Sequence, residues 1–162
     1  MILRELCAQD QKPMLEWMHD KDVVSDLKGN FLDKTLQDCA AFIENSRNDP
    51  QNLHFAIADD HNHYMGTVSL KHIHPDWAEF AIVVGKAAMG TGISKAAMKE
   101  MLDYGITQLG LAKIYWCVSK ENTRAVRFYD KNGYVKSEEI PTELKAAYKQ
   151  EGDALLWYYY KG

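Results

Sequence analysis

The run Trp116–Tyr134, WCVSKENTRAVRFYDKNGY, restricts the architecture of this chain more than any other segment. Ile114, Trp116 and Val118 alternate with Tyr115, Cys117 and Ser119 as in a strand, and past Asn122 the apolar period lengthens from two to about 3.6. On a helix from Thr123 to Lys131, Ala125, Phe128 and Tyr129 share one face, and Arg124, Arg127 and Lys131 share the other. Asn132-Gly133 stops that helix, and a strand resumes at Tyr134. Tyr129 therefore points inward with the small Ala125 one turn before it, and its hydroxyl needs a partner. Asn122 stands at the junction, where an amide either caps free backbone groups or holds a ligand.

The remaining segments fit the same kind of sheet. Ile2–Leu6 alternates as a half-exposed first strand. Asp10 is placed to cap a helix that tolerates Pro13 in its first turn and buries Met14, Trp17 and Met18. Thr35 is an N-cap for a second helix to about Ser46, with Leu36, Cys39, Ala40 and Ile43 inward. Leu53–Ala58 and His63–His72 read as an antiparallel pair around the turn Asp59-Asp60-His61-Asn62. Trp77–Val84 follows, and its apolar end FAIVV predicts burial on both faces. A long helix from about Gly92 to Leu109 leads to the strand Lys113–Ser119, so these two strands are expected to run parallel. Tyr134–Ser137 is a strand, Pro141–Gly152 a charged helical insertion, and Leu155–Tyr160 a final aromatic strand. The expected fold is α/β, a mixed and mostly antiparallel sheet with helices on both faces.

A chain of 162 residues that is 46% hydrophobic suits one domain, residues 1–162, around one core. Its net charge is −4 and its Lys and Arg are dispersed, which argues against a nucleic-acid surface. Cys7, Cys39 and Cys117 share no metal-ligand spacing and read as reduced thiols, and no metal is expected. The opening MILRELCAQD enters a strand pattern directly, and no apolar run approaches membrane-spanning length. A cytoplasmic protein is the expectation. The strand Trp157–Tyr160 is either an edge that pairs two copies into a homodimer or an internal strand.

Met89-Gly90-Thr91-Gly92-Ile93-Ser94 lies between a buried strand and a long helix. A helix N-terminus carries unpaired N–H groups and partial positive charge, and the glycines let the backbone approach a pyrophosphate. A P-loop would need Gly-Lys-Ser/Thr, and a dinucleotide site a third glycine near the first strand; neither is present.

Asn-x-x-Ala-x-x-x-Tyr-x-x-x-Gly-Tyr, here Asn122, Ala125, Tyr129, Gly133 and Tyr134, resembles the second half of the acyl-coenzyme A core of the GCN5-related N-acetyltransferases. That family's coenzyme A loop reads Gln/Arg-x-x-Gly-x-Gly/Ala; Gly92 matches, whereas Met89 and Ser94 depart. The resemblance implies acetyl transfer from acetyl-coenzyme A to a primary amine, by direct attack in a ternary complex. It implies Tyr129 as the acid that protonates the leaving thiolate. Backbone groups of Ile82, Val83 and Val84, in a strand splayed from its parallel neighbour, would hold the pantetheine arm, and Met89–Ser94 and Asn122 would complete the cofactor site. Lys131, with Arg124 and Arg127, is a candidate for the 3'-phosphate or a solvated basic face. Glu79 is the candidate base, with a solvent-facing strand residue as its alternative and His72 and His74 as second choices.

The early helices and the last loop shape the acceptor pocket in this family. Trp17, Asp20 and Asp22, with Asp26, would present an aromatic wall and negative charge to an amine, as would Glu138, Glu139 and Glu143; a solvated acidic surface is the alternative. The acceptor is an amino sugar, a polyamine or a protein N-terminus. The rival reading is a coenzyme A binding sensor or interaction module without catalysis, for which Met89 and Ser94 speak.

Overall fold

Period-two segments become strands and period-3.6 segments become helices in nearly the places the sequence sets. The computed structural model describes residues 1–27 and 29–162. Among these, seven strands form one sheet: β1 (Ile2–Glu5), β2 (Leu53–Ala58), β3 (Tyr64–Lys71), β4 (Trp77–Val84), β5 (Lys113–Ser119), β6 (Val135–Lys136) and β7 (Leu155–Lys161). Their order is β1-β2-β3-β4-β5-β7-β6, and every neighbouring pair is antiparallel except β4 with β5. The helices are α1 (Gln11–Met18), α2 (Lys21–Val24), α3 (Leu36–Asn45), α4 (Ile93–Thr107), α5 (Thr123–Lys131) and α6 (Thr142–Ala147).

Local chemistry explains most boundaries. Thr35 and Asp38 form a reciprocal capping box at α3, with Oγ1 of Thr35 accepting from the Asp38 amide and a carboxylate oxygen of Asp38 accepting from the Thr35 amide. The β2–β3 turn is held by Asp59, whose Oδ1 accepts from the amides of His61 and His63. Asp10 differs from its expected capping role. It lies in a 3-10 turn (Ala8–Asp10), is 1% exposed, and accepts both terminal nitrogens of Arg4 at 2.8 and 2.9 Å and the Cys7 amide at 2.9 Å. A fork-shaped cation so close outcompetes a helix amide.

The sheet divides the apolar interior into two clusters. On one face α4 and α5 pack Met98, Met101, Leu102 and Tyr129 against Val68, Leu70, Phe80, Ile114, Trp116 and Tyr158. On the other, α1 to α3 gather Met14, Trp17, Met18, Val23, Cys39 and Ile43 with Ala56 and Tyr64. Leu36, expected inside, is 39% exposed and Ala40 half-buried, because α3 crosses this smaller cluster through Cys39 and Ile43 alone. The expected strand at Tyr134–Ser137 shrinks to Val135–Lys136. β7 lies between β5 and the two-residue β6, which pairs with it at Tyr158 and Tyr159, so Trp157–Tyr160 belongs to an internal strand of the sheet.

Candidate active site

Two elements diverge to make the site. β4 and β5 pair in parallel through Trp77↔Lys113, Ala78↔Ile114 and Glu79↔Tyr115, and the ladder stops there. Beyond it β4 keeps only β3 and β5 keeps only β7. Phe80–Val84 thus turn one row of backbone groups into the gap, where no β5 partner meets them. The expectation that FAIVV is buried on both faces is corrected here: Ala78, Glu79 and Phe80 are buried, whereas Ala81–Val84, including Ile82, Val83 and Val84, are half-buried because their neighbour strand has moved away.

The Met89–Ser94 loop delivers the start of α4 to this region. Gly92 is its N-cap with φ +84° and offers no capping side chain, so the first amides of α4 have little internal partnership; Thr91 Oγ1 stands at a marginal 3.4 Å from the Ile93 amide. Apart from its chain neighbours, no heavy atom of the described residues lies within 4 Å of where a Cβ would stand on Gly90 or Gly92. An anion can therefore reach the backbone. Thr91 is exposed and hydrogen-bonds Ala88 O at 2.5 Å, and Ile93 and Ser94 are half-buried. Met89 packs with Val83 against the α1–α3 cluster, which leaves main chain rather than thioether for a phosphate.

Tyr129 stands on α5 with its ring against Trp116, Tyr134 and Tyr158 at centroid distances of 5.7, 6.4 and 5.0 Å. The residue is 9% exposed, and burial above all pushes its phenol well above the ordinary tyrosine range, with Cys117 the next influence. No hydrogen-bond partner within the described residues meets its hydroxyl, yet this oxygen is not sealed in: Trp116 Nε1 is the one enclosed side-chain polar atom there that lacks a partner. A buried ring with an open tip is suited to give a proton to an incoming group. Asn122 caps α5, its Oδ1 accepting from the Ala125 amide at 3.2 Å, so the capping use of this amide is realised.

Glu79 is not solvent-facing. It is 2% exposed on the sheet face opposite α4 and α5, and its carboxylate is surrounded. His72 Nδ1 lies 2.9 Å from Oε1 and Lys71 Nζ 3.9 Å from it, while Tyr148, just past α6, donates its hydroxyl to Oε2. Burial first and the Glu79 charge second hold the Tyr148 phenol far above its ordinary range. The Cys117 thiol is a further hydrogen-bond partner of that phenol. His74 turns elsewhere, stacked on Trp77 at 4.2 Å and paired with Glu143 at 2.5 Å.

The expected acceptor residues separate into different roles. Trp17 is a core side chain whose Nε1 donates to Tyr64 Oη at 2.9 Å, and Tyr64 in turn meets Thr67. Asp20 caps α2 through the Asp22 amide. Asp22 pairs with Lys86 at 3.1 Å, linking α2 to the loop that leaves β4. Asp26, Glu138 and Glu139 are exposed, and so are Lys131, Arg124 and Arg127 on α5. Among the described residues no group of His, Cys, Asp and Glu is arranged to hold a metal ion.

Comparison with known proteins adds a family. Residues 1–135 match the family model described as an acetyltransferase (GNAT) domain. The chain is a GNAT acetyltransferase family member. Its sequence is similar to spermidine N(1)-acetyltransferase of Escherichia coli K12, 38% identical over 77 residues, 48% of this chain and 41% of that protein. The Vibrio cholerae enzyme of the same name is 33% identical over 93 residues, 56% of this chain and 53% of that protein. The matches thus span about half or less of these relatives. The fold superposes on V. cholerae spermidine N-acetyltransferase, solved with CoA and spermine, at TM-score 0.79 and 23% identity, covering 99% of this chain and 94% of that one. A GNAT acetyltransferase from Bacillus anthracis gives 0.75 at 20% identity, covering 98% and 93%.

Within this GNAT frame, sequence reasoning missed Tyr148 and Lys71 as partners of Glu79. A signal for Tyr148 existed: Leu144 and Tyr148 are four apart in an otherwise charged insertion, and Leu144 is fully buried.

Proposed function

We propose that this protein transfers the acetyl group of acetyl-coenzyme A to a primary amine of a polyamine, by direct attack in a ternary complex. The observation that carries this reading is the parting of β4 and β5 at Glu79, with Tyr129 and Glu79 approaching the gap from opposite faces of the sheet. Gly90, Thr91 and Gly92 with the amides of Ile93 and Ser94 would hold the pyrophosphate, and the free backbone edge of Ile82–Val84 the pantetheine arm and the acyl oxygen. Asn122 would border that arm and Lys131 the 3'-phosphate. Tyr129 would protonate the thiolate, and Glu79 would take up the proton of the amine.

A polyamine is favoured over an amino sugar or a protein N-terminus on two grounds. The similar bacterial proteins carry the name spermidine N(1)-acetyltransferase. Acidic groups also stand exposed on the surface: Asp22, paired with Lys86 just past β4, Glu143, paired with His74 just before it, and Asp26, Glu138 and Glu139. A cytoplasmic setting belongs to the same proposal, supported by reduced Cys7 and Cys39; among the described residues no helix is long and apolar enough to cross a membrane.

The test is release of free thiol from acetyl-coenzyme A with spermidine, spermine, glucosamine and a short peptide with a free N-terminus. Release with the polyamines supports the reading. Release with glucosamine or the peptide alone replaces the acceptor. The packing of Met89 away from the phosphate favours a second reading, a coenzyme A binding module, and binding without release from any amine would support it.

A further inference from the structure

The two oxygens of Glu79 are held by different parts of the chain, and one imidazole joins those parts. Oε1 faces His72 Nδ1 at 2.9 Å, from the turn between β3 and β4, and Oε2 accepts from Tyr148, just past α6. His74 bonds to both segments. Its Nδ1 lies 2.7 Å from the His72 carbonyl oxygen, and its Nε2 lies 2.5 Å from a carboxylate oxygen of Glu143 on α6. A carbonyl and an ionised carboxylate accept hydrogen bonds and cannot donate them, so both ring nitrogens of His74 must carry a hydrogen. The ring that fits this arrangement is an imidazolium.

We infer that His74 is a positioning residue, a clamp that only its protonated form can close, fixing α6 and the β3–β4 turn about Glu79. The turn is stiff enough to serve as one jaw. His72 holds a left-handed φ of +52°, its amide donates to Asn52 Oδ1 at 3.2 Å, and the His74 amide donates to the Trp77 carbonyl at 2.8 Å. The imidazole lies nearly flat on Trp77 of β4, with 4.2 Å between centroids and 12° between planes, a seat that favours a cation. Loss of the proton removes one N–H, the charge and the attraction to the indole face together. α6 then keeps Leu144 buried and Tyr148 on Trp157 and Glu79, so the insertion loosens rather than unfolds.

The sign of the pH dependence follows from the groups around the ring. Glu143 faces it from α6 and Asp76 from its own turn, both acidic, and Trp77 brings an uncharged face. The bond to the His72 carbonyl first, then Glu143 and Asp76, outweigh burial and hold the imidazole above its ordinary value. A raised folded pKa means that the clamp contributes fully below the unfolded value, about 6.5, and releases as pH rises through the folded one. Its consequence for turnover rests on the proposed transfer, in which Glu79 is the base.

Amide hydrogen exchange of the full chain between about pH 6 and 9, corrected for the intrinsic rate, tests the clamp in wild type, H74F and E143A. H74F keeps a flat ring on Trp77 without either N–H, and E143A alters only an exposed position on α6. In wild type the protection of residues 142–148 relative to α4 should fall about fivefold as pH rises, whereas both variants start at the lower protection and stay level. Protection in wild type that ignores pH, or variants that match wild type across the range, would overturn the clamp. Turnover with acetyl-coenzyme A and spermidine gives the second readout. The ratio of kcat between wild type and H74F should be greatest at the acid end and approach one at the alkaline end, and a flat ratio would overturn the positioning of Glu79 by His74. A wild type that shows the pH-dependent protection and acetylates no amine would overturn the proposed function and leave the clamp standing.

Discussion

Glu79 faces Tyr115 across the last rung of the parallel ladder between β4 and β5. That rung marks a change in what the backbone is for. Before it, amides and carbonyls are consumed by the sheet; after it, the β4 edge is free to bind another chain of atoms. Tyr129 and Glu79, 50 positions apart in sequence, stand on opposite sheet faces beside this transition.

Tyr129→Phe removes one oxygen and preserves the ring packing on Trp116 and Tyr158. kcat should fall by about 10- to 100-fold, with acetyl-coenzyme A affinity by calorimetry unchanged. Unaltered kcat would remove Tyr129 from the chemistry.

Gly92→Ala asks an L residue to hold φ +84° at the head of α4. No neighbour opposes the added methyl, so the cost is purely conformational, about 1–2 kcal/mol. Thermal melting should show a lower Tm and a smaller rise on adding acetyl-coenzyme A, because the turn relaxes and its amides lose their common direction. A normal ligand-induced rise would show that this turn does not bind the cofactor.

Gly66→Ala fails for the opposite reason. A Cβ there would stand 2.4 Å from Val83 O and 2.9 Å from Val84 Cα, main-chain atoms that cannot step aside alone. β3 and β4 would have to separate beside the splayed edge. Urea denaturation should show a loss of about 1–3 kcal/mol, and wild-type stability would show that this part of β4 yields freely.

Asp10→Ala strands the guanidinium of Arg4 against the first turn of the chain. The pair is bidentate and Asp10 is sealed, so stability should drop by about 3 kcal/mol. A change within experimental scatter would mean that water replaces the carboxylate at no cost.

The same residue gives a pH dependence of known sign. Burial is the largest single influence on Asp10 and works to raise its pKa, but hydrogen bonds from Arg4 and the Cys7 amide together outweigh it, so the folded pKa lies below the ordinary value. A depressed folded pKa means that the stabilisation is full above the unfolded value, about 3.9, and disappears as pH falls through the folded value. The Tm gap between wild type and D10A should therefore be constant near neutrality and close on acidification below about pH 4. A gap that widens on acidification would contradict the assignment.

Much of this was legible beforehand because it depends on neighbours in sequence. The strand Trp77–Val84, the strand Lys113–Ser119 and the helix Thr123–Lys131 have the bounds that period and capping predict, and the inward turn of Tyr129 follows from its spacing to Ala125. What was hidden depends on partners far away in sequence. The fate of Asp10 was decided by Arg4 on β1, and the half-burial of Ala81–Val84 by a strand that departs rather than one that pairs. Glu79 could be read as a solvent-facing residue because nothing local announces a phenol 69 positions later.

The two apolar clusters, one on each side of the sheet, also have a consequence for how such a protein can change. The groups that hold Glu79 come from β3, the turn after it and the segment following α6, and none comes from α1, α2 or α3. Those three helices share their own cluster with Ala56 and Tyr64. Their surface can be resurfaced or exchanged for another amine while the proton-handling groups stay where they are. Selectivity and reactivity are thus separable inheritances in this fold, carried by helices on one hand and by strands with a late insertion on the other.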